Sequence, residues 1–161
     1  MIALLKSLFA RADPVLSEAS SRDAAAITVL HAASFARGWS EDEVDRLLAD
    51  RHIIAHRATL GASMAGFILS RVVEDEAEIL SVAVAGNKRS RGVARNMLNL
   101  HLRRLAGLGA RTVFLEVDEH NAAAIRLYDR AGFRHVSRRA NYYQAANGTA
   151  AAALVLRRDL V

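Results

Sequence analysis

The chain contains no cysteine, which excludes disulfides, thiolate metal sites and a cysteine nucleophile together and makes a reducing cytoplasm the natural setting. Proline is nearly as scarce. Pro14 is the only one, and it marks the single boundary, between an N-terminal extension (residues 1–13) and one domain (residues 14–161). Aromatic residues make up 6% of the chain, leaving few platforms on which nucleic-acid bases could stack. Long apolar runs are missing as well: the opening MIALLKSLFARADP is interrupted by Lys6 and is too short to span a bilayer.

What is present fits one domain with one site. A length of 161 residues is enough to bury a continuous core. Lys and Arg number 22 against 17 Asp and Glu, a formal net charge of +5, and this suits a protein that meets phosphates or other anions.

The residue pattern predicts alternating strands and helices. PVLSEAS reads as a strand, and Asp23 as the cap of a helix from Ala24 to Phe35 with Ile27, Leu30, His31 and Ser34 on one face. His31 on that face reads as a core or groove-lining residue. GWSEDEVDRLLAD carries a helix start, with Ser40 as N-cap, Glu43 closing a capping box and Trp39 stapling against Val44. Three β-rich runs follow, 53–58, 65–73 and 78–85, as a meander whose acidic turn at Glu74–Glu76 is a solvated tip. A helix runs from Gly92 to about Gly107 with Ala94, Met97, Leu98, Leu105 and Leu108 on one face and His101 as a hydrogen-bonded core residue. A strand TVFLEVD, a helix from Asn121 to Arg130 closed by Gly132, and two final strands complete the chain. This order predicts an α+β fold: a mixed sheet with helices on both faces.

The stretch NKRSRGVAR, residues 87–95, concentrates positive charge where a helix begins. A helix start offers backbone N–H groups without internal partners and the positive end of the dipole, so phosphate is a favoured guest. Gly92 lets that guest approach the backbone, and Arg89, Arg91 and Arg95 add charge-assisted hydrogen bonds. A nucleoside-triphosphate loop is disfavoured because no Gly-Lys-Ser/Thr follows. A dinucleotide-binding fold is disfavoured because the preceding strand belongs to a meander.

The pattern Arg89-Ser90-Arg91-Gly92-Val93-Ala94 after ILSVAV resembles the acetyl-coenzyme A signature of the GCN5-related N-acetyltransferases. More narrowly, SFARGWSEDE, LEVDEHNAAAIRLYDRAGF and RRANYY, in this order, resemble the ribosomal-protein alanine N-acetyltransferases, from about Val15 to Arg157. The resemblance implies that fold, with a central, mostly antiparallel twisted sheet of six to seven strands. It also implies acetyl-CoA as co-substrate without a metal. Backbone groups of Val82, Ala83 and Val84 would pair with the pantetheine arm, the segment Arg89, Ser90, Arg91, Gly92, Val93, Ala94 and Arg95 would cradle the diphosphate, and Asn121 would add a contact. Glu116 matches the general base and Tyr128 the general acid, while Trp39, Tyr142 and Tyr143 match the acceptor groove. The implied acceptor is a protein N-terminus, that of a small-subunit ribosomal protein, with no membrane and no specific nucleic-acid partner.

The residues themselves speak to part of this. In TVFLEVD, Val113, Leu115 and Val117 alternate onto one face and Glu116 shares the other with Phe114. An unpaired buried carboxylate costs several kcal/mol, so Glu116 is either a base in a groove or the partner of an arginine. Tyr128 lies among apolar residues and Asn121 can simply cap its helix. Asp118, where the family usually has an arginine, leaves the acceptor open. A small-molecule amine is the alternative acceptor, and a non-catalytic basic RNA- or ribosome-associated module is a third reading.

Overall fold

A computed structural model describes residues 13–89, 92–144 and 148–161; the side chains of Tyr143 and Gln144 fall outside the description. The strands are β1 (Val15–Glu18), β2 (Ile53–Leu60), β3 (Ser63–Val73), β4 (Glu76–Val84), β5 (Thr112–Asp118), β6 (Arg134–Gln144) and β7 (Ala150–Asp159). The helices are α1 (Ala24–Ser34), α2 (Glu41–Ala49), α3 (Val93–Gly107) and α4 (Ala122–Arg130). One seven-stranded sheet runs in the order β1-β2-β3-β4-β5-β7-β6. Its pairs are antiparallel except β4 with β5, which run parallel. The expected mixed sheet is therefore present, and the expected extension, residues 1–13, lies outside the described residues except for Asp13.

Each face of the sheet carries its own core. Val93, Met97, Leu98, Leu102 and Leu105 of α3 and Tyr128 of α4 pack with Ile68, Ile79, Val113, Leu115 and Val117. On the other face Ala24 and Ile27 of α1 and Val44 of α2 pack with Ile53, Phe67, Leu69 and Ala83. The stripe expected on α3 is shifted: Ala94 is only half-buried and Leu108 is exposed, whereas Val93 and Leu102 are buried. The start of a helix that faces a cleft cannot also bury its whole first turn.

Three buried polar groups tie α3 to the sheet. His101 Nδ1 lies 2.7 Å from His56 Nδ1 of β2, and His101 Nε2 lies 2.6 Å from Ser70 Oγ of β3. Burial, with the neighbouring His56 adding to it, pushes the His101 imidazole down to about 3. Both rings are thus neutral, and each buried nitrogen in contact has a partner.

Helix starts follow the sequence in one case and depart from it in another. Ser40 accepts from the Glu43 N–H at 3.2 Å and the Glu43 carboxylate accepts from the Ser40 N–H at 2.7 Å, a closed capping box. Asp23, read as the cap of α1, makes no such bond to that helix. Its carboxylate is buried, accepts from the Ser20 N–H at 2.8 Å and pairs with Arg57 of β2. A buried carboxylate gains more from a guanidinium than from a helix start alone.

One bulge and one close approach shape the sheet around β4. Between Leu69 and Ser70 the β3–β4 register skips Leu80, a bulge that turns β4 away from its straight course. Gly66 of β3 is fixed by a close approach to the same strand, because a Cβ there would stand 2.8 Å from the Ala83 carbonyl oxygen.

Candidate active site

Strands β4 and β5 pair only from Glu76 to Ile79 against Thr112 to Leu115. Beyond that point β4 continues to Val84 bonded to β3, and β5 continues to Asp118 bonded to β7. The sheet is therefore open between them. A cleft of ≈ 1150 Å³ enters this gap and takes lining from both faces: Ser34 and Phe35 at the end of α1, and residues of α3 and α4.

Most of the expected coenzyme residues meet there. Val82, Ala83, Val84, Arg89, Gly92, Val93, Ala94, Arg95 and Asn121 all line the cleft. Ser90 and Arg91 lie outside the described residues. Gly92 is the N-cap of α3 with φ 73°, a left-handed conformation that glycine adopts without cost. It turns the chain so that the amides of the first turn of α3, which have no acceptor within the helix, open onto the cleft. The Arg89 side chain donates through Nε to the Val84 carbonyl at 3.3 Å.

Lys88 of the basic stretch lines the cleft too, as do Asn99, Arg126 and Arg130, which were missed from sequence. The signal was available in the spacing. Arg95 and Asn99 are four apart on α3, and Arg126 and Arg130 are four apart on α4, so each pair shares a helix face. Five of the described lining residues are basic and none is acidic.

Asn121 caps α4, its Oδ1 accepting from the Ala124 N–H at 3.1 Å. Asp118 prepares that start, since its carboxylate accepts from the His120 N–H at 2.8 Å and its carbonyl from the Asn121 N–H at 2.9 Å. Tyr128 lines the cleft and is buried, with its ring edge-on to Phe133 at 5.6 Å.

Glu116 approaches the gap from the opposite face. Val113, Leu115 and Val117 belong to the α3–α4 core, so alternation sends Glu116 toward the α1–α2 side. That side of β5 is half-exposed. The Glu116 carboxylate pairs with Arg139 Nη1 at 2.7 Å and accepts a hydrogen bond from Tyr142. That hydrogen bond, and the carboxylate's charge, raise the Tyr142 phenol above its ordinary value. The Arg139 guanidinium also lies over the Tyr142 ring, 5.6 Å from its centroid.

Tyr142 reaches Glu116 because β6 is bulged. From Arg139 to Tyr143 the strand spends four steps where β7, from Ala153 to Ala151, spends two, and Asn141 takes φ 55°. Glu119 anchors the bulge: it accepts from Arg138 at 3.0 and 3.1 Å and from the Ala152 N–H at 3.1 Å. These bonds hold the Glu119 carboxyl below the usual carboxylate range, the Ala152 amide contributing most.

Trp39 is held by His31. The backbone N–H of Trp39 donates to His31 Nδ1 at 3.1 Å, and the two rings stack with centroids 4.1 Å apart. Burial lowers the His31 imidazole, against a smaller opposing effect of Glu43, and keeps Nδ1 free to accept. Trp39 also packs on the cluster that contains Val44, as a staple should. Tyr143 lies in β6, with its side chain outside the described residues.

A sheet split at one parallel pair, with a basic cleft and a helix start at one face of the gap and a carboxylate at the other, is the layout expected of an acyltransferase. The chain belongs to the Acetyltransferase (GNAT) family, whose pattern matches residues 24–133. Among curated relatives, ribosomal protein bS18-alanine N-acetyltransferase of Salmonella typhimurium is 34% identical over 133 residues, 83% of this chain and 89% of that one. The Escherichia coli enzyme of that name is 34% identical over 110 residues, 68% of this chain and 74% of its own. The crystal structure of the Escherichia coli enzyme superposes with a TM-score of 0.86 over 92% of this chain and 94% of that one, at 28% identity. Arabidopsis thaliana NAA60 in complex with acetyl-CoA shares the fold at a TM-score of 0.81 and 21% identity, over 91% and 98% of the two chains. Membership of this family favours the enzymatic readings over the RNA-binding module.

Proposed function

We propose that the protein transfers the acetyl group of acetyl-CoA to the N-terminal α-amine of a protein, an alanine at the start of a small-subunit ribosomal protein, in the cytoplasm. The observation that carries this reading is the open gap between β4 and β5, with cations and the start of α3 on one side and Glu116 on the other. The 34% identity to bS18-alanine N-acetyltransferases supports the choice of acceptor.

The residues present fit the coenzyme. A cleft lined by Lys88, Arg89, Arg95 and the first amides of α3, with no carboxylate among its described lining, suits a diphosphate. The free edge of β4 from Val82 to Val84 offers peptide groups to an amide-bearing arm. When bound, the thioester supplies an activated acetyl group.

The protein then has three tasks. The gap brings amine and thioester together from opposite faces, which makes attack effectively unimolecular. Glu116 accepts the proton of the attacking amine, directly or through water. An α-ammonium has a pKa of about 7.7–8.0 against about 10.4 for lysine, so an N-terminus demands less of that base. Tyr128 gives its phenolic proton to the departing thiolate.

Arg139 adds a condition. Its guanidinium already occupies the Glu116 carboxylate, so the incoming ammonium takes over a place that a cation holds. Mass spectrometry of alanine-started peptides incubated with acetyl-CoA tests the assignment. Acetylation at the α-amine, reduced about 10²-fold or more in Glu116→Gln, is expected. Acetylation of small amines alone would move the acceptor class, and unchanged turnover in Glu116→Gln would remove that residue from its role.

A further inference from the structure

Several arginines of this chain are paired with carboxylates: Arg134 meets Asp159, Arg138 meets Glu119, Arg139 meets Glu116 and Arg57 meets Asp23. The cleft instead gathers cations with no carboxylate among its described lining. Lys88, Arg95, Arg126 and Arg130 have no ion pair or hydrogen bond to a side chain among the described residues. Asp129 is adjacent in sequence to Arg130 and three residues from Arg126, yet it pairs with neither and does not line the cleft. Holding like charges together costs self-repulsion, and an anion recovers that cost.

The diphosphate accounts for only part of this charge. A diphosphate diester carries two negative charges, which Lys88, Arg89, Arg95 and the amides after Gly92 match on the α3 side. Arg126 and Arg130 stand apart on the other wall, one turn from each other on α4 and both exposed. Side chains spaced by four residues on a helix are neighbours, so two guanidinium groups can converge on one group with three terminal oxygens. A phosphate monoester is such a group, with a charge near −2 at neutral pH because its second pKa is about 6. Coenzyme A carries one, on the 3′-oxygen of its ribose. Arg130 sits in the last turn of α4, where the dipole alone favours a cation; Arg126, mid-helix, has no such reason to be there.

We propose that Arg126 and Arg130 of α4 form a subsite for the ribose 3′-phosphate of coenzyme A, so that the enzyme discriminates the coenzyme from its 3′-dephosphorylated form. This rests on the acetyl-CoA reading above and adds to it a recognition element outside the diphosphate loop. The subsite contributes affinity and takes no part in proton transfer.

Isothermal titration of the full chain with coenzyme A and with 3′-dephospho-coenzyme A, at one ionic strength, tests it. The native protein is expected to bind coenzyme A about 10- to 100-fold more tightly, the range for charge-assisted hydrogen bonds at one phosphate. In Arg126→Gln and Arg130→Gln the preference narrows, and in the double variant it falls to about one. Equal affinity of the native protein for both ligands would overturn the subsite, as would variants that weaken both ligands by the same factor, which is the mark of a diffuse field. Initial rates with acetyl-CoA and 3′-dephospho-acetyl-CoA separate the two readings. Turnover of both with equal KM refutes the subsite and leaves the acetyltransferase standing, whereas turnover of neither refutes both.

Discussion

On the α3–α4 side of the gap five basic side chains line the cleft with no carboxylate among the described residues. On the α1–α2 side Glu116, Arg139 and Tyr142 already satisfy one another, and Glu119 with Arg138 anchors the bulge that brings Tyr142 there. On the proposed function the first side receives a charge, and ligand binding there is addition. The second holds its own cation on its own carboxylate, so on the same reading binding there is exchange. Each side is backed by a buried histidine: His101 beneath α3, and His31 beneath the Trp39 loop.

The largest expected effect tests whether Tyr128 belongs to chemistry or to coenzyme binding. Phenylalanine at this position keeps the ring that packs on Phe133 and removes only the hydroxyl. For Tyr128→Phe, kcat falls about 10²-fold or more, and the KM for acetyl-CoA stays within about twofold. Steady-state kinetics with both substrates varied read this directly. A change in KM with kcat intact would assign Tyr128 to the wall of the cleft.

Acid should undermine both sides through their histidines. The His101 imidazole is lowered to about 3 by burial and by His56, below its unfolded value, so the unfolded chain binds the extra proton first. Stability is therefore full above about pH 6.5 and is lost as pH falls toward the folded value. From pH 7 to pH 5 this one group removes roughly 2 kcal/mol, readable in urea unfolding at a series of pH values. His31 shifts in the same direction, and its protonation also abolishes the bond from the Trp39 N–H. A stability curve flat from pH 7 to pH 5 would contradict the neutral, buried arrangement of His101.

A smaller effect belongs to Gly92. Its φ of 73° is strained for other residues, while the space around its missing Cβ is open, so Gly92→Ala acts through the backbone alone. The left-handed cost is about 1–2 kcal/mol, which predicts a rise of about 5- to 30-fold in the dissociation constant for coenzyme A. Asparagine tolerates this conformation better, so Gly92→Asn should lose less. If alanine and asparagine behave alike, the turn does not set the α3 amides.

Much of the basic side of the gap was legible in the sequence because it is local. A basic run, a glycine and a helix start within nine residues, 87–95, carry their meaning in order, and alternation in TVFLEVD separated Glu116 from the core face. What stayed hidden depends on distant partners. Asp23 reads as a helix cap until Arg57, 34 residues away, is beside it. The pairing of Glu116 with Arg139 was open as one of two readings, but the choice of arginine needed the β6 bulge, which skips register around Asn141. Arg126 and Arg130 were missed because two arginines on an exposed helix usually mean only a solvated face; the cleft beside them gives them another use.

The sharpest test of the exchange picture carries the smallest expected effect. Arg139 is largely exposed, and an ion pair of that kind is worth about 0–1 kcal/mol. Removing the cation in Arg139→Gln therefore lowers the KM for an alanine-started peptide by up to about fivefold, since the ammonium no longer competes for Glu116. The KM for acetyl-CoA should not change with it, because Arg139 is not among the residues lining that cleft. Salt offers an internal control: screening weakens the pair, so the difference between native and variant peptide KM should narrow as ionic strength rises. A peptide KM that instead increases in Arg139→Gln would mean that the guanidinium grips the acceptor, and the α1–α2 side would then be another surface for addition.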